Sequence, residues 1–506
     1  MVLRTSCVMN TMITMTMRAS GYVRRAASLF AFAVLTLTMT AANAAEWFVS
    51  TLGSDATGNG SQSTPFRTLT HVLAPSAAIV HSGDIVTLLG PAGNNTFREC
   101  DVRLRVPLTL RSPAGEMAHI HCDLGVEDSV AIQIDPEASG SRLSRLEISG
   151  GYYYGVFLQT DWDQRGNPSG TGASNIVIED VKIHDTGRDG IKITPKCDHV
   201  TIRRTEIWNT GAIYPAGTSL DDKNAEGIDN VNGSFMTVED SYIHHTATTG
   251  LYFKGGATDA LIQRNRIENT GVAGILVGFD TSPEFFDIVA NPQYYEAIRG
   301  IVRNNVIRNT NYAGIGLYAA RDSVVANNTI INTASLGHAA LYFGVTFQDY
   351  EPEARRPANV NPLIRNNLVI QNGGDCVRIR YSEELGGLSG LSGSANSDFN
   401  AFHDTTGECR FVDARPGSVI ADAGNFSQWR TASGGEASSI AVALAVDGDG
   451  RLPAGSPAID RGQTIAQVTD DFEGHPRVAP YDIGAYEFGA STTVQPPRGR
   501  PKPKRP

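Results

Sequence analysis

The chain has 506 residues, of which 41% are hydrophobic and 19% charged. This balance excludes a protein that is disordered throughout. Its 52 glycines are about a tenth of the sequence, against a usual share of about 7%, which favours a turn-rich β protein. The net charge of −11 argues against nucleic acid as a partner, because phosphate binding requires a cationic surface.

Residues 1–44 have the pattern of an export signal. Arginines without any acidic residue precede an apolar run at 26–35, and Ala42-Asn43-Ala44 forms a small-x-small cleavage signature. The apolar run is too short to span a membrane, and no other run reaches that length. We therefore predict cleavage after Ala44 and a secreted protein that is extracellular, periplasmic or at the cell surface.

Five cysteines remain after cleavage, so at least one of them has no intramolecular partner. Cys100 and Cys122 are 22 residues apart, about one period of the repeat described next, and an oxidising compartment permits a disulfide between them. Cys376 with Cys409 is a second candidate pair. No CxxC motif occurs, which argues against a zinc site.

A repeat runs through the middle of the chain. Each unit has an apolar pair, a polar pair, another apolar pair, Asn-Thr or His-Thr, then Gly and a further apolar strand. The apolar residue before the second turn recurs at Ile183, Ile207, Ile243, Ile267, Ile307, Ile330 and Val369. These steps give a period of 23–24 residues with three insertions. Three short alternating strands per period predict an all-β parallel β-helix of about ten coils. The competing fold at this period, the leucine-rich repeat, lacks its consensus here.

Asparagines recur at one place in this repeat. They are Asn265, Asn304, Asn305, Asn327, Asn328, Asn366 and Asn367. Because asparagine tolerates left-handed backbone and hydrogen-bonds turns, these residues indicate a structural ladder rather than a ligand site. His184 and His244 also occupy matching repeat positions, which indicates packing rather than chemistry.

Alternation along the strand that follows each turn glycine predicts which side chains point outward. The first outward row is Lys192, Asp229, Tyr252, Leu276, Gly316, Tyr342 and Arg378. The second outward row is Thr194, Val231, Lys254, Gly278, Tyr318, Gly344 and Arg380. Insertions at about 212–224, 281–297 and 346–361 are expected to wall a groove beside these rows.

Tyrosine faces and scattered charges suit sugar rings and hydroxyls. The predicted substrate-binding residues are therefore Lys192, Asp229, Tyr252, Tyr318, Tyr342 and Arg380. The alternative for this face is a solvated sheet without a ligand.

Lys254 is the predicted general base, because it points outward beside Gly255 and Gly256. It would remove the proton α to a uronate carboxylate, and β-elimination of the glycosidic oxygen would follow. The carboxylate must be neutralised by an arginine, for which we predict Arg378 as a catalytic residue, or by Ca²⁺. The predicted Ca²⁺ ligands are Asp221, Asp222, Glu226 and Asp229, whose oxygens are the donors that Ca²⁺ prefers.

A hydrolase would instead need two facing carboxylates, and Asp229 with Glu226 or Asp280 could supply them. Uronate C5-epimerisation shares the proton abstraction with the lyase reaction and is not separated from it by the sequence.

The N-terminal segment carries a resemblance to a known superfamily. The pattern Phe48-Val49-Ser50, then Gly53-Ser54-Asp55, Pro65-Phe66 and Gly83-Asp84 resembles the cap of secreted right-handed parallel β-helix proteins, including the pectate-lyase-like group. A short helix is expected from about Thr68 to Val80. Such a cap covers the open apolar end of a solenoid. With the repeats, the resemblance covers about residues 46–412.

The predicted organisation has five parts. They are an export signal (1–44), a cap with the first strands (45–99), β-helix repeats (100–412), a small β-rich C-terminal module (413–488) and a disordered, basic, Pro-rich tail (489–506). The module resembles the C-terminal segment of many bacterial exported β-helix proteins, which is associated with surface proteins.

The strand around Lys254 resembles the lysine-bearing strand of the chondroitinase B/alginate lyase family. Two parts of that family's site are missing, because its catalytic arginine would fall near Gly278 and its paired glutamates near Ala247 and Thr249. The resulting hypothesis is a protein that binds and cleaves an acidic polysaccharide by β-elimination. The alternatives are a non-catalytic glycan-binding surface or adhesion protein and a uronate C5-epimerase.

Overall fold

The computed structural model describes residues 44–90, 95–163, 168–346 and 356–490. Residues from Ala44 onward form one compact unit. The predicted export signal before Ala44 and the predicted basic tail from 491 lie outside the described residues. No helix in the described ranges is long and apolar enough to cross a membrane.

Three long parallel sheets of 12, 11 and 12 strands are formed by the described residues, and successive coils contribute one strand to each sheet except at the two ends. The described strands of sheet 1 are Glu46–Ser50, Ile85–Leu89, Thr109–Arg111, Arg142–Ser144, Val177–Glu179, Thr201–Arg203, Thr237–Glu239, Leu261–Gln263, Ile301–Arg303, Val324–Ala326, Leu363–Arg365 and Ser397–Asp398. Those of sheet 2 are Val102–Leu104, Val130–Ile134, Tyr154–Leu158, Ile191–Ile193, Ile228–Val231, Leu251–Lys254, Ile275–Val277, Ile315–Tyr318, Leu341–Gly344, Val377–Ile379 and Phe411–Asp413. Those of sheet 3 are Thr96–Arg98, Ala118–Cys122, Leu146–Gly150, Lys182–His184, Glu206–Trp208, Tyr242–His244, Arg266–Thr270, Val306–Thr310, Thr329–Ile331, Leu368–Gln371, Ala401–Asp404 and Ile440–Ala441.

Smaller elements complete the coils. A fourth parallel sheet holds Ala257–Thr258, Ala297–Ile298, Ala320–Arg321, Asn359–Val360 and Leu391–Ser392. Two antiparallel pairs are Thr160–Trp162 with Pro168–Gly172 and Tyr381–Ser382 with Leu388–Ser389. The α-helices are Leu69–Val72 and Phe426–Ser433, and the 3₁₀ turns are Pro75–Ala77, Pro136–Ala138 and Pro283–Phe285.

The core is a set of inward ladders, as predicted. The seven repeat anchors from Ile183 to Val369 pair in consecutive strands of sheet 3, and all are fully buried. Full burial of one such side chain is worth about 1.5–3 kcal/mol. The apolar side chains of a single coil would be exposed to solvent above and below the coil. The core therefore forms only when coils stack on one another.

A buried asparagine ladder follows the turn between sheets 1 and 3. Its members are Asn265, Asn305, Asn328, Asn367 and Asn400, all fully buried. Each Nδ2 donates to the Oδ1 of the next member at 3.0–3.1 Å, and each also donates to backbone carbonyls. The predicted structural role of the asparagines in this ladder is confirmed.

The preceding asparagines of the same turns, Asn304, Asn327 and Asn366, adopt left-handed backbone. They bind the C-terminal module, and Asn366 Nδ2 also donates to Asn327 Oδ1 of the neighbouring coil at 3.0 Å. Their Nδ2 groups donate to the carbonyls of Asp470, Asp482 and Gln463 at 2.7–3.0 Å.

The N-terminal cap differs from the prediction in its helix. The helix covers only Leu69–Val72, with Thr68 as its N-cap, and the chain then forms the 3₁₀ turn Pro75–Ala77. Proline lacks the backbone donor that a longer helix needs, which explains the early end. Leu69 and Val72 are buried against the first coil.

Cys100–Cys122 and Cys376–Cys409 form disulfides, and Cys197 is free and buried. Burial raises the pKa of the Cys197 thiol to about 11, so this thiol is protonated and unreactive at neutral pH.

The C-terminal module is less β-rich than predicted. After Asp413, the described residues contain the helix Phe426–Ser433, the two-residue strand Ile440–Ala441 and turns. A capping box formed by Asn425 and Gln428 lies at the N-terminus of this helix. Its Trp429 is fully buried against the last coil. The rest of the module forms turns with internal backbone hydrogen bonds, and the asparagine turns bind a few of its carbonyls.

We expect Asn328→Ala to destabilise the protein, because it removes the middle of the buried ladder. The cost is about 1–3 kcal/mol for each buried donor or acceptor left without a partner. Urea unfolding followed by circular dichroism measures the effect. The matched control is Asn309→Ala, because Asn309 belongs to an exposed asparagine row in which water replaces the lost amide. Equal destabilisation by the two variants would contradict a structural role of the buried ladder.

Candidate functional site

The first outward row lies on sheet 2 in the predicted register. Consecutive strands pair Lys192, Asp229, Tyr252, Leu276, Gly316, Tyr342 and Arg378 in one line. This row divides into three regions with different chemistry, which we call the acidic cluster, the apolar middle and the arginine pocket.

The apolar middle consists of Tyr252, Leu276, Tyr318, Tyr342 and the alanines between them, and all of these side chains are buried. Phe279, from the segment after Ile275–Val277, packs its ring against Tyr252 and Tyr318 at centroid distances of 6.1 and 5.5 Å. The expectation of an open, tyrosine-lined groove is therefore wrong here. Tyr252 and Tyr318 pack against Phe279 within the apolar middle rather than facing solvent.

The acidic cluster consists of Asp189, Glu226 and Asp229, whose carboxylate oxygens lie within 4.8 Å of one another. All three are buried. Lys192 Nζ donates to Asp229 Oδ2, and Thr248 Oγ1 donates to Glu226 Oε1 at 2.8 Å. The second oxygen of each carboxyl group is buried without a hydrogen-bond partner.

This arrangement changes the ionisation of the cluster. Burial, with Glu226 and Asp229 nearby, raises the pKa of Asp189 well above its usual range. Burial, followed by the charge of Asp229, also raises the pKa of Glu226. A proton held by the cluster and the cation of Lys192 together compensate the buried negative charge.

The four predicted calcium ligands are not assembled. Glu226 and Asp229 belong to the acidic cluster, whereas Asp221 and Asp222 are exposed on the neighbouring loop and lie outside it. Ca²⁺ takes six to eight oxygen ligands, and three buried carboxylates of which one is paired with Lys192 do not fit that requirement. Hydrolysis would need two carboxylates that a sugar can contact. Asp229 and Glu226 are buried, so they do not meet this requirement.

Lys254 lies beside the acidic cluster and is partly exposed. Its Nζ donates to the carbonyl of Asp280 at 2.9 Å and lies 4.4 Å from the centre of the Tyr252 ring. These two contacts hold Nζ between a carbonyl and the face of an aromatic ring. Lys254 and Arg378 are separated by four strand spacings, about 19 Å, so the two predicted catalytic residues cannot act on the same bond.

The arginine pocket lies at the other end of the row and has a volume of about 490 Å³. Arg378, Arg380 and Arg410 line it with Asp375, Tyr342, Tyr381 and His338. Arg378 Nε donates to Asp375 Oδ2 at 2.9 Å, and Arg410 Nη2 lies 2.9 Å from Asp375 Oδ1. Three guanidinium groups against one carboxylate leave the pocket with a net positive charge. Arg380 and Arg410 are exposed.

His338 is a further member of the pocket. Its ring stacks on the Tyr342 ring at a centroid distance of 4.0 Å, and its Nδ1 is buried without a hydrogen-bond partner. Burial, helped by the charges of Arg380 and Arg378, lowers the pKa of His338 to about 4. Its imidazole is therefore neutral at pH 7, and the lowered pKa makes it a weaker base than an ordinary histidine.

The sequence analysis named Tyr342, Arg378 and Arg380 but missed His338, Asp375 and Arg410. One signal was available for two of them. Asp375 precedes Cys376 and Arg410 follows Cys409, so the disulfide brings these two residues together. His338 sits in a left-handed turn inside an irregular stretch and gives no comparable signal.

The stacked parallel sheets, with their outward rows and a polar pocket on one face, define a right-handed parallel β-helix protein. A family model described as "Right handed beta helix region" matches residues 130–287 and 226–390, and the chain belongs to this family. No curated protein shows significant sequence similarity to the chain.

Several solved structures are similar to this chain. The pectate lyase Pel9A superposes with a TM-score of 0.50 at 14% identity, covering 87% of this chain and 96% of that one, which shows the fold. The A-module of mannuronan C-5 epimerase AlgE4 from Azotobacter vinelandii has a TM-score of 0.38 at 14% identity, covering 58% of this chain and 85% of that one. PfbA, a surface adhesin of Streptococcus pneumoniae, has a TM-score of 0.40 at 10% identity, covering 66% and 77% respectively.

We expect Asp189→Asn to change how stability depends on pH. Below the ordinary aspartate pKa of about 3.9, both the folded and the unfolded chain hold this proton. Above it, only the unfolded chain releases the proton, so the native protein loses stability as the pH rises toward the raised pKa of Asp189. Asparagine cannot ionise and removes this loss, which amounts to about 1.4 kcal/mol per unit of pKa shift.

The measurement is the unfolding midpoint of both proteins between pH 4 and pH 8. The advantage of Asp189→Asn should grow with pH, whereas the exposed control Asp221→Asn should follow the wild type. Parallel curves for Asp189→Asn and the wild type would show that Asp189 is ionised in the folded protein.

Proposed function

We propose that this protein is exported, binds an acidic, uronate-containing polysaccharide on sheet 2 and cleaves it by β-elimination. The observation that carries the proposal is the arginine pocket, an open site with a net positive charge and aromatic walls. Its position on sheet 2 lets a polymer continue past it along the surface of the rod.

The binding step follows from the charges. Arg380 and Arg410 are exposed and Arg378 is partly exposed, so a carboxylate can reach two or three guanidinium groups. Paired N–H donors bind a planar carboxylate with two parallel hydrogen bonds. Asp375 holds Arg378 and Arg410 near each other without neutralising the third arginine.

The cleavage step requires a base and a neutralised carboxylate. Arginine contacts lower the charge on the uronate carboxylate, which makes its α-proton more acidic. We assign the base to His338, which is neutral at pH 7 and lies in the same pocket. The base takes the proton from C5, a C4–C5 double bond forms, and the glycosidic oxygen at C4 leaves and is protonated by water.

Lys254, the base expected from the sequence, would act on a sugar bound about four coils from the arginine pocket. The two assignments therefore make different predictions for the variants His338→Ala and Lys254→Ala.

The first test is a panel of acidic polymers, namely alginate, pectate, chondroitin and heparin, incubated with the protein from Ala45 onward. Lyase activity appears as ultraviolet absorbance of the unsaturated product. We expect His338→Ala to abolish the absorbance and Lys254→Ala to retain it. The reverse result would move the chemistry to Lys254. Running the panel with and without Ca²⁺ tests whether the activity depends on this ion.

Binding is tested separately by affinity electrophoresis on the polymer that gives product. We expect Arg378→Ala and Arg380→Ala each to weaken binding about 10- to 100-fold, the loss of one charge-assisted contact of about 1.5–3 kcal/mol. Arg67→Ala, an exposed arginine of the N-terminal cap, is the charge-matched control. Equal effects of all three variants would mean that binding depends on overall charge and not on the pocket.

A non-catalytic glycan-binding protein is the second candidate. It is favoured by the contacts of Lys254, whose amine is held by the Asp280 carbonyl and the Tyr252 ring. Polymer binding without ultraviolet product supports this candidate. Deuterium exchange at C5 of an intact polymer would support a C5-epimerase instead.

We also expect Arg380→Ala to raise the pKa of His338 above about 4, because it removes one of the two cations that lower it. Burial, the largest cause, remains and keeps the pKa below the ordinary histidine value. Histidine ring chemical shifts followed by NMR against pH measure the change, and Arg67→Ala should leave it unaltered. An unchanged pKa in Arg380→Ala would place Arg380 too far from the ring to act on it.

A further inference from the structure

The outward face of sheet 3 carries a second polar cluster, far from the arginine pocket in the strand order. His119, Glu147 and His184 come from three consecutive strands, and one ligand atom of each lies within 4.8 Å of the other two. His184 Nε2 and Glu147 Oε1 are 3.2 Å apart. All three side chains are partly exposed, so an ion can reach them from solvent.

Neighbouring groups orient the two imidazoles. His184 Nδ1 lies 2.7 Å from Asp185 Oδ2, a contact in which Nδ1–H donates to the carboxylate. His184 Nε2 donates to Glu147 Oε1 on the opposite side of the ring, so a metal ion that binds Nε2 would replace the proton of this contact. The Ser149 hydroxyl lies 2.7 Å from His119 Nε2 and 2.8 Å from His121 Nδ1, and so fixes the His119 ring beside the cluster.

We propose that His119, Glu147 and His184 bind a divalent transition-metal ion of the zinc class. Two imidazoles and one carboxylate are a ligand set that Zn²⁺ accepts, with water in the remaining position. Tetrahedral bonds of about 2.0–2.1 Å separate ligand atoms by about 3.4 Å, so the cluster reaches this geometry by small side-chain rotations. The carboxylate of Asp185 supports the His184 ligand from the far side of the ring, as outer-shell partners of metal-bound histidines do.

The same sheet contains an internal comparison. Two coils later, His244 Nε2 lies 3.5 Å from Glu206 Oε1, which repeats the pairing of His184 with Glu147. The position equivalent to His119 is occupied there by Lys182, which cannot bind a metal as an ammonium and instead faces Glu206 at 3.9 Å. The second place therefore has two of the three ligands and should not bind the ion.

The experiment is a titration of the chain from Ala45 onward with Co²⁺, followed by visible absorbance, and with Zn²⁺, followed by calorimetry. We expect one equivalent of either ion, and the Co²⁺ spectrum of a four- or five-coordinate site. His119→Ala and Glu147→Gln should abolish this binding. Asp185→Asn should weaken it about 10- to 100-fold.

His244→Ala is the matched control, since it removes a histidine of the same sheet that lacks the third ligand. It should leave stoichiometry and affinity unchanged. Circular dichroism confirms that each variant is folded, and Glu147→Gln keeps the side-chain size if a histidine variant fails to fold. Absence of binding in the wild type, or equal losses in His244→Ala and His119→Ala, would overturn the proposal.

Discussion

The stacking of one coil on the next at a fixed register is the constraint on which the rest of this protein depends. The buried asparagine ladder enforces it, because each amide accepts and donates only when the following coil is in place. A shift of one residue would move every apolar side chain of a strand to the solvent face. It would also break the ladder and leave five buried amides without partners. Exposure of apolar side chains and loss of these hydrogen bonds therefore both disfavour a shift of register.

This register turns sequence positions into surface rows. Lys192 and Arg378 are 186 residues apart in the chain, yet they lie on one line because six strand pairs between them are in register. Once the strands are in register, contacts between neighbouring residues are enough to form the arginine pocket. Asp375 lies between two guanidinium groups that would repel each other without it, and the Cys376–Cys409 disulfide joins the strands from which Asp375 and Arg410 extend.

Periodicity explains how much of this could be predicted from the sequence. It identified the inward anchors, the outward rows, the asparagine ladder and the Cys100–Cys122 disulfide, because each depends on position within a repeating coil. It did not identify what covers the outward side chains. Phe279 buries Tyr252 and Tyr318 from a segment inserted between coils, and an insertion has no counterpart in the neighbouring repeats from which its course can be inferred.

The acidic cluster was missed in part for the same reason. Glu226 and Asp229 were predicted as metal ligands, and Asp189 from the preceding coil completes their cluster. Asp221 and Asp222, the other two predicted ligands, lie on the exposed insertion outside it. Alternation predicts the side of the sheet to which a residue belongs. It does not predict whether that residue is buried, and burial decides whether a carboxylate is an available ligand or a compensated charge.

The distribution of charge along sheet 2 gives the proposed binding a direction. At one end, the acidic cluster is buried and paired with Lys192, which limits its field at the surface. At the other end, Arg380 and Arg410 reach solvent and face only one carboxylate. The chain as a whole has a net charge of −11, which disfavours a polyanion away from a local cationic site. In the proposed function, an acidic polymer on this sheet is therefore held at the arginine pocket, and the remainder of the polymer extends from that point.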